Sequence, residues 1–120
     1  MPDWSIKIVP SVSGGGASFV PNNLVAQQDD LVTWNNTTNE THQPWPTDAN
    51  YKPKDVKPGS PEYLSNEIPA GGSSRPSYDV AQPAAVAPAK PPNEWTVYYY
   101  CSKHPNVVSE RGTIKGKVPT

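Results

Sequence analysis

A small all-β sandwich or barrel is the fold class this sequence predicts, and three features predict it. Sixteen prolines and eight glycines in 120 residues interrupt the chain too often for long helices. Several short runs alternate apolar and polar residues at the two-residue period of a strand. Four tryptophans and six tyrosines supply bulk to a chain that is only 34% hydrophobic, and aromatic side chains suit a pleated surface. The length fits one domain, residues 1–120, able to hide roughly two-thirds of its unfolded surface.

Taken in order, Trp4–Val9 alternates, with Trp4, Ile6 and Ile8 on one face, and Pro10 stops it. Ser13–Gly16 is a Gly-rich turn, Ala17–Val20 a short strand ended by Pro21, and Leu24–Gln27 the start of another. Leu31–Asn35 places Val32 and Trp34 on a shared face, and Asn36–Thr41 is a polar turn carrying His42. Gln43–Glu62 reads as a Pro-rich loop with a helical turn around Pro61–Leu64. Asn66–Ile68 and Arg75–Val80 read as strands, the latter with Tyr78 and Val80 inward. Ala81–Pro92 is Ala/Pro-rich and expected to run extended. From Glu94 the alternation of Trp95, Val97, Tyr99 and Cys101 describes a strand with one apolar face, and the chain turns at Pro105 and Asn106. Gly112–Val118 closes the fold with Ile114 and Val118 inward.

Net charge is −1 with no basic block, which argues against nucleic acid or an anionic membrane as partner. No apolar run approaches the about 20 residues of a membrane span. No signal peptide is recognisable; Met1-Pro2-Asp3 reads as the start of a trimmed mature domain from which an export signal has been removed.

The chemistry gathers at the end of the Glu94–Cys101 strand. Cys101 is the only cysteine, so it has no disulfide partner within the chain. His104 follows at Cys-x-x-His spacing where the chain turns, and the second of the two histidines, His42, lies in another turn after another strand. A thiolate with two imidazoles suits copper or zinc, and His2Cys in a trigonal plane is the blue-copper arrangement. A single buried Cys is more often an inert core thiol, and a single turn His is more often solvated. It is their joint placement at strand ends that favours a metal.

The segments Val32-Thr-Trp-Asn35 with His42 six residues on, Tyr99-Tyr-Cys101-Ser-Lys-His104-Pro105, and Gly112-Thr-Ile-Lys-Gly116 together resemble the cupredoxins. The similarity is closest to plastocyanin, pseudoazurin and related small copper electron carriers. The resemblance implies a Greek-key β-sandwich of seven or eight strands, one copper ion, and His42, Cys101 and His104 as equatorial ligands. It also implies transient redox partner proteins, a monomer that is not itself an enzyme, and a periplasmic or other extracytoplasmic location. The residue after the cysteine and the chain near the first histidine, here Ser102, Asn35 and Gln43, are expected to bond to one another and to the sulfur. Pro44, Trp45, Pro105 and Val107 are expected to form an apolar docking patch around the exposed edge of His104.

One departure matters. The family's axial methionine has no counterpart, because the chain's only Met is Met1. Counting back from Gly112 puts Glu110 in that position; counting forward from His104 gives Ser109. Glu110 is the expectation, against a nearly three-coordinate site with Glu110 in solvent, or Ser109 as the ligand. A carboxylate ligand also opens the alternative of a red-copper protein, resembling nitrosocyanin in that feature, with an open position for a small molecule or a storage role. Two other classes stay open: a hydrolase with Cys101 and a histidine as nucleophile and base, and a metal-free binding module.

Overall fold

The computed structural model describes residues 3–10, 16–58, 60, 62–75, 77–80, 94–104, 107 and 109–117. They form eight strands: β1 (Asp3–Pro10), β2 (Ala17–Val20), β3 (Asn23–Gln27), β4 (Leu31–Asn36), β5 (Pro44–Thr47), β6 (Tyr78–Asp79), β7 (Glu94–Cys101) and β8 (Arg111–Lys117). One sheet has the order β2-β1-β4-β6 and the other β3-β8-β7-β5. β1 and β4 run parallel, as do β3 and β8, while β7 is antiparallel to both its neighbours. The chain thus crosses between sheets, as expected of a Greek-key sandwich.

Alternation works as the pattern demands in most strands. Ile6 and Ile8, Val32 and Trp34, and Trp95, Tyr99 and Cys101 all turn inward and are essentially buried. Each fully buried aliphatic side chain contributes roughly 1.5–3 kcal/mol of transfer free energy. Trp34 and Tyr99 meet edge to face at 5.4 Å, and Phe19 meets Tyr99 at 4.8 Å, so the aromatics lock the two sheets together. β8 contributes flatness: a Cβ on Gly112 would fall 2.5 Å from the Tyr99 hydroxyl, and one on Gly116 would collide with the Trp95 indole. The two glycines sit opposite those aromatics in the β7–β8 register and leave the space their rings fill.

Several expectations change. Trp4 shares the parity of Ile6 but is 37% exposed. Its indole N–H donates to Asp30 Oδ2 at 2.9 Å, a polar partner that the core could not offer. The Gln43–Glu62 loop contains β5, hidden by two prolines in four residues. Proline is tolerated there because β5 is a sheet edge: Gln43 O accepts Ser102 N, whereas Pro46 O points outward to Lys54 N. The Arg75–Val80 strand shrinks to Tyr78–Asp79, though Tyr78 and Val80 are buried as expected. Asn66–Ile68 reduces to a single bridge between Ile68 and His42. Residues 13–15, Pro61, the 81–92 stretch, Pro105, Asn106 and Val118 lie outside the described residues.

Candidate metal centre

Cys101 is the last residue of β7 and is fully buried. Beyond it backbone hydrogen bonds link described residues three positions apart. Cys101 O accepts His104 N at 3.2 Å, His104 O accepts Val107 N at 3.1 Å, and Val107 O accepts Glu110 N at 3.0 Å. Cys101 N then donates to Glu110 O at 3.0 Å and closes the loop. That closure returns Glu110 to the side of Cys101 despite nine positions of separation.

His42 arrives from the other side. Its backbone pairs with Ile68 in both directions, at 3.1 and 2.7 Å. The turn before it is tied by Asn36, which is 2% exposed. Asn36 Nδ2 donates to the carbonyls of Glu40, Ile68 and Pro69.

Four side chains converge at this tip. Sγ of Cys101 lies 3.5 Å from His42 Nδ1 and 3.6 Å from His104 Nδ1. Glu110 Oε1 lies 2.9 Å from His42 Nδ1 and 3.0 Å from His104 Nδ1. One ligand atom from each of the four can be chosen so that all lie within 4.8 Å of one another, a group able to hold a metal ion. Glu110 is 1% exposed, so it is not a solvated loop residue. Its second oxygen accepts Ala17 N at 3.3 Å, at the start of β2. Ser109 turns away and donates to Ala17 O at 2.7 Å.

The electrostatics follow from this crowding. Burial alone would lower the pKa of His42, but hydrogen bonds and charge from Cys101 and Glu110 outweigh it and raise the value to about 9. Burial would raise Glu110, yet the His42 hydrogen bond, the charge of His104 and the contact with Cys101 hold it below the usual carboxylate range. A buried carboxylate between two imidazoles and a thiol is stable only while these opposite charges compensate, or while a cation replaces the protons.

Of the expected supporting residues, Gln43 and Ser102 are in place. Gln43 N points to Sγ at 3.5 Å, and Ser102 Oγ donates to Gln43 Oε1 at 2.6 Å. Asn35 is not: its Oδ1 accepts Ser73 Oγ on the sheet's outer side. The buried work falls to Asn36, which has the parity of Val32 and Trp34, a signal that strand alternation alone could have supplied. The expected apolar patch changes as well. Trp45 is turned against Tyr63 at 5.9 Å with its indole N–H on Lys54 O, and Pro44 is buried. The partly exposed edge of His104 faces a carboxylate instead, Glu40 Oε2, 3.1 Å from Nε2.

Two four-stranded sheets with this site at their tip define a cupredoxin fold. Solved structures agree. The chain is similar to a purple cupredoxin from Nitrosopumilus maritimus, with 22% identity over 96% of this chain and 100% of that one and a TM-score of 0.69. It is similar also to oxidised plastocyanin from Dryopteris crassirhizoma, with 14% identity, 94% and 99% coverage and a TM-score of 0.61. A third is an amicyanin mutant described in its Cu(I) form, with 16% identity, 96% and 82% coverage and a TM-score of 0.57. No protein-family model matches the chain, and no curated protein matches it in sequence.

Proposed function

We propose that the protein is a mononuclear copper electron carrier, with His42, Cys101 and His104 as equatorial ligands and Glu110 as the axial one. The observation that carries this reading is the convergence of those four donors at a buried tip. Bonds of about 2.3 Å to sulfur and about 2.0–2.1 Å to nitrogen or oxygen imply S···N separations of about 3.5–3.8 Å at angles between tetrahedral and trigonal. The observed 3.5 and 3.6 Å fall in that range. The same bond lengths imply N···O near 2.9 Å at a right angle, and Oε1 lies 2.9 and 3.0 Å from the two nitrogens. These spacings would let sulfur, both Nδ1 atoms and Oε1 hold one ion between them.

Copper held there supplies one-electron Cu(II)/Cu(I) chemistry. The chain's part is to keep the donors still and dry. Cys101 and Glu110 are closed into one hydrogen-bonded loop, and His42 is pinned to Ile68. An anionic, hard axial oxygen favours Cu(II) and lowers the reduction potential relative to a thioether. Of the four residues only His104 reaches solvent, with a side chain 28% exposed, so its ring would be the path between a bound copper and a partner. Partners engage through small, short-lived contacts typical of redox encounters, and no substrate is transformed. A nucleophilic role for Cys101 is disfavoured because the thiol is fully buried. By likeness to small copper carriers we place the protein outside the cytoplasm, acting as a monomer. No helix of the described residues is long and apolar enough to cross a membrane.

Absorption and EPR spectra of the copper-loaded protein test this directly. A thiolate-to-copper charge-transfer band is expected, and its absence would remove the reading. Glu110→Gln should move that band; an unchanged spectrum would leave Glu110 out of the ligand set. Alkylation of the thiol is a poorer test, because burial already shields it.

A further inference from the structure

Both histidines offer Nδ1 to the cluster and Nε2 to one short loop, residues 38–40. His42 Nε2 lies 3.0 Å from Thr38 Oγ1, and His104 Nε2 lies 3.1 Å from Glu40 Oε2. This loop is built to stay in place. Asn36 Nδ2 donates to Glu40 O at 2.6 Å, Thr38 Oγ1 donates to Asn36 Oδ1 at 2.7 Å, and Glu40 N donates to Thr38 Oγ1 at 3.2 Å. The Glu40 side chain itself is 64% exposed and contributes nothing to the core. Nothing in the packing requires a carboxylate at this point.

We infer that Glu40 is a positioning residue acting through His104. By accepting the Nε2–H it fixes the ring so that Nδ1 faces the cluster, and with an ion bound there it would keep the remaining proton on the outer nitrogen and leave the Nδ1 lone pair to the ion. A carboxylate on the far nitrogen also makes the imidazole a stronger donor, the arrangement by which outer partners orient and tune a ligating histidine. Its negative charge favours the more highly charged metal state, so Glu40 and Glu110 push the potential the same way from opposite sides of one ring. Thr38 performs the orienting part for His42 without the charge. This inference rests on the proposed copper site for its effect on potential. Its effect on the ring is independent of metal.

The test compares Glu40→Gln, Glu40→Ala and a control, Glu67→Gln, which removes the same charge from an exposed carboxylate paired with Lys103. In the metal-free protein, the His104 Nε2 proton should be protected from exchange by NMR and lose that protection in Glu40→Ala. In the loaded protein, Cu(II) affinity should fall by about 10–100-fold in Glu40→Ala, as for other outer partners of ligating histidines, and less in Glu40→Gln. The reduction potential should rise in both, while the melting temperature of the metal-free protein stays at the parent value. Unchanged affinity and potential in both variants overturn the inference. So does an equal shift in Glu67→Gln, which would reduce the effect to bulk charge. If the parent binds no copper, the proposed function fails, and the exchange of the Nε2 proton decides the role of Glu40 alone.

Discussion

Adding one methyl group at Gly112 probes the packing that supports the site. In Gly112→Ala the new Cβ would lie 2.5 Å from Cζ and Oη of Tyr99 and 2.9 Å from Cε1. Comfortable carbon contacts are about 3.5–4.0 Å, so something must move by about 1 Å. The Tyr99 ring cannot simply retreat. It is fully buried and wedged between Phe19 and Trp34, and Gly112 is held in the ladder opposite it. Overpacking of this kind costs about 1–3 kcal/mol, partly offset by the roughly 0.5–1 kcal/mol that alanine gains over glycine inside a strand. The net loss should be about 1–2 kcal/mol. With a urea m-value of about 1–3 kcal/mol/M, the unfolding midpoint should drop by roughly 0.3–2 M. The assay is urea unfolding of the metal-free protein followed by tryptophan fluorescence. In the double variant with Tyr99→Leu, the two losses should sum to more than the measured total, because the clash is removed. A parent-like midpoint for Gly112→Ala, or strict additivity in the double variant, would refute the packing argument.

Two further outcomes follow from the same contacts. Asn36→Ala should cost about 1–3 kcal/mol, because the carbonyls of Glu40, Ile68 and Pro69 lose the donor they share and each net hydrogen bond contributes about 0.5–1.5 kcal/mol, while Ile68 O keeps His42 N and Pro69 O keeps Gly72 N. Asn35→Ala, on the outer side, should stay within about 0.5 kcal/mol of the parent, and the reverse ranking would contradict the assignment. The metal-free protein should also show a pH optimum. The folded pKa of His42, about 9, lies above its ordinary 6.5, so its contribution is complete below pH 6.5 and lost as pH rises towards 9. Glu110 is held below its ordinary 4.5, so its contribution is complete above that value and lost as pH falls. Stability should therefore peak between about pH 4.5 and 6.5 and decline by at most about 3 kcal/mol towards pH 9. A urea midpoint measured in chelator that stays flat from pH 6.5 to 9 would show that His42 gains no such support.

Much of this molecule was legible before any coordinates. The strands around Ile6, Val32, Tyr99 and Ile114 follow from alternation, since side chains of a strand must point to opposite faces. Cys101 and His104 are near each other because three residues and a turn cannot carry them far apart. The backward count to Glu110 ran from Gly112 near the start of β8, and Glu110 lies with His42, Cys101 and His104 in one group able to hold a metal ion. β5 was missed because its prolines argue against a strand unless it is known to lie at an edge. Sheet order alone makes that known.

What only the tertiary structure decided concerns neighbours that local spacing does not determine. Whether Glu110 faces water or two imidazoles depends on β2 arriving beside it with Ala17. Whether Asn35 or Asn36 serves the site depends on which face of β4 the other sheet covers. The placement of Thr38 and Glu40 behind the two rings depends on how the loop after β4 folds back over His104, 64 positions later in the chain. Periodicity and spacing act along the polypeptide and are written in it. Burial, charge compensation and hydrogen-bond partners act through space, and they exist only once the two sheets have closed on each other.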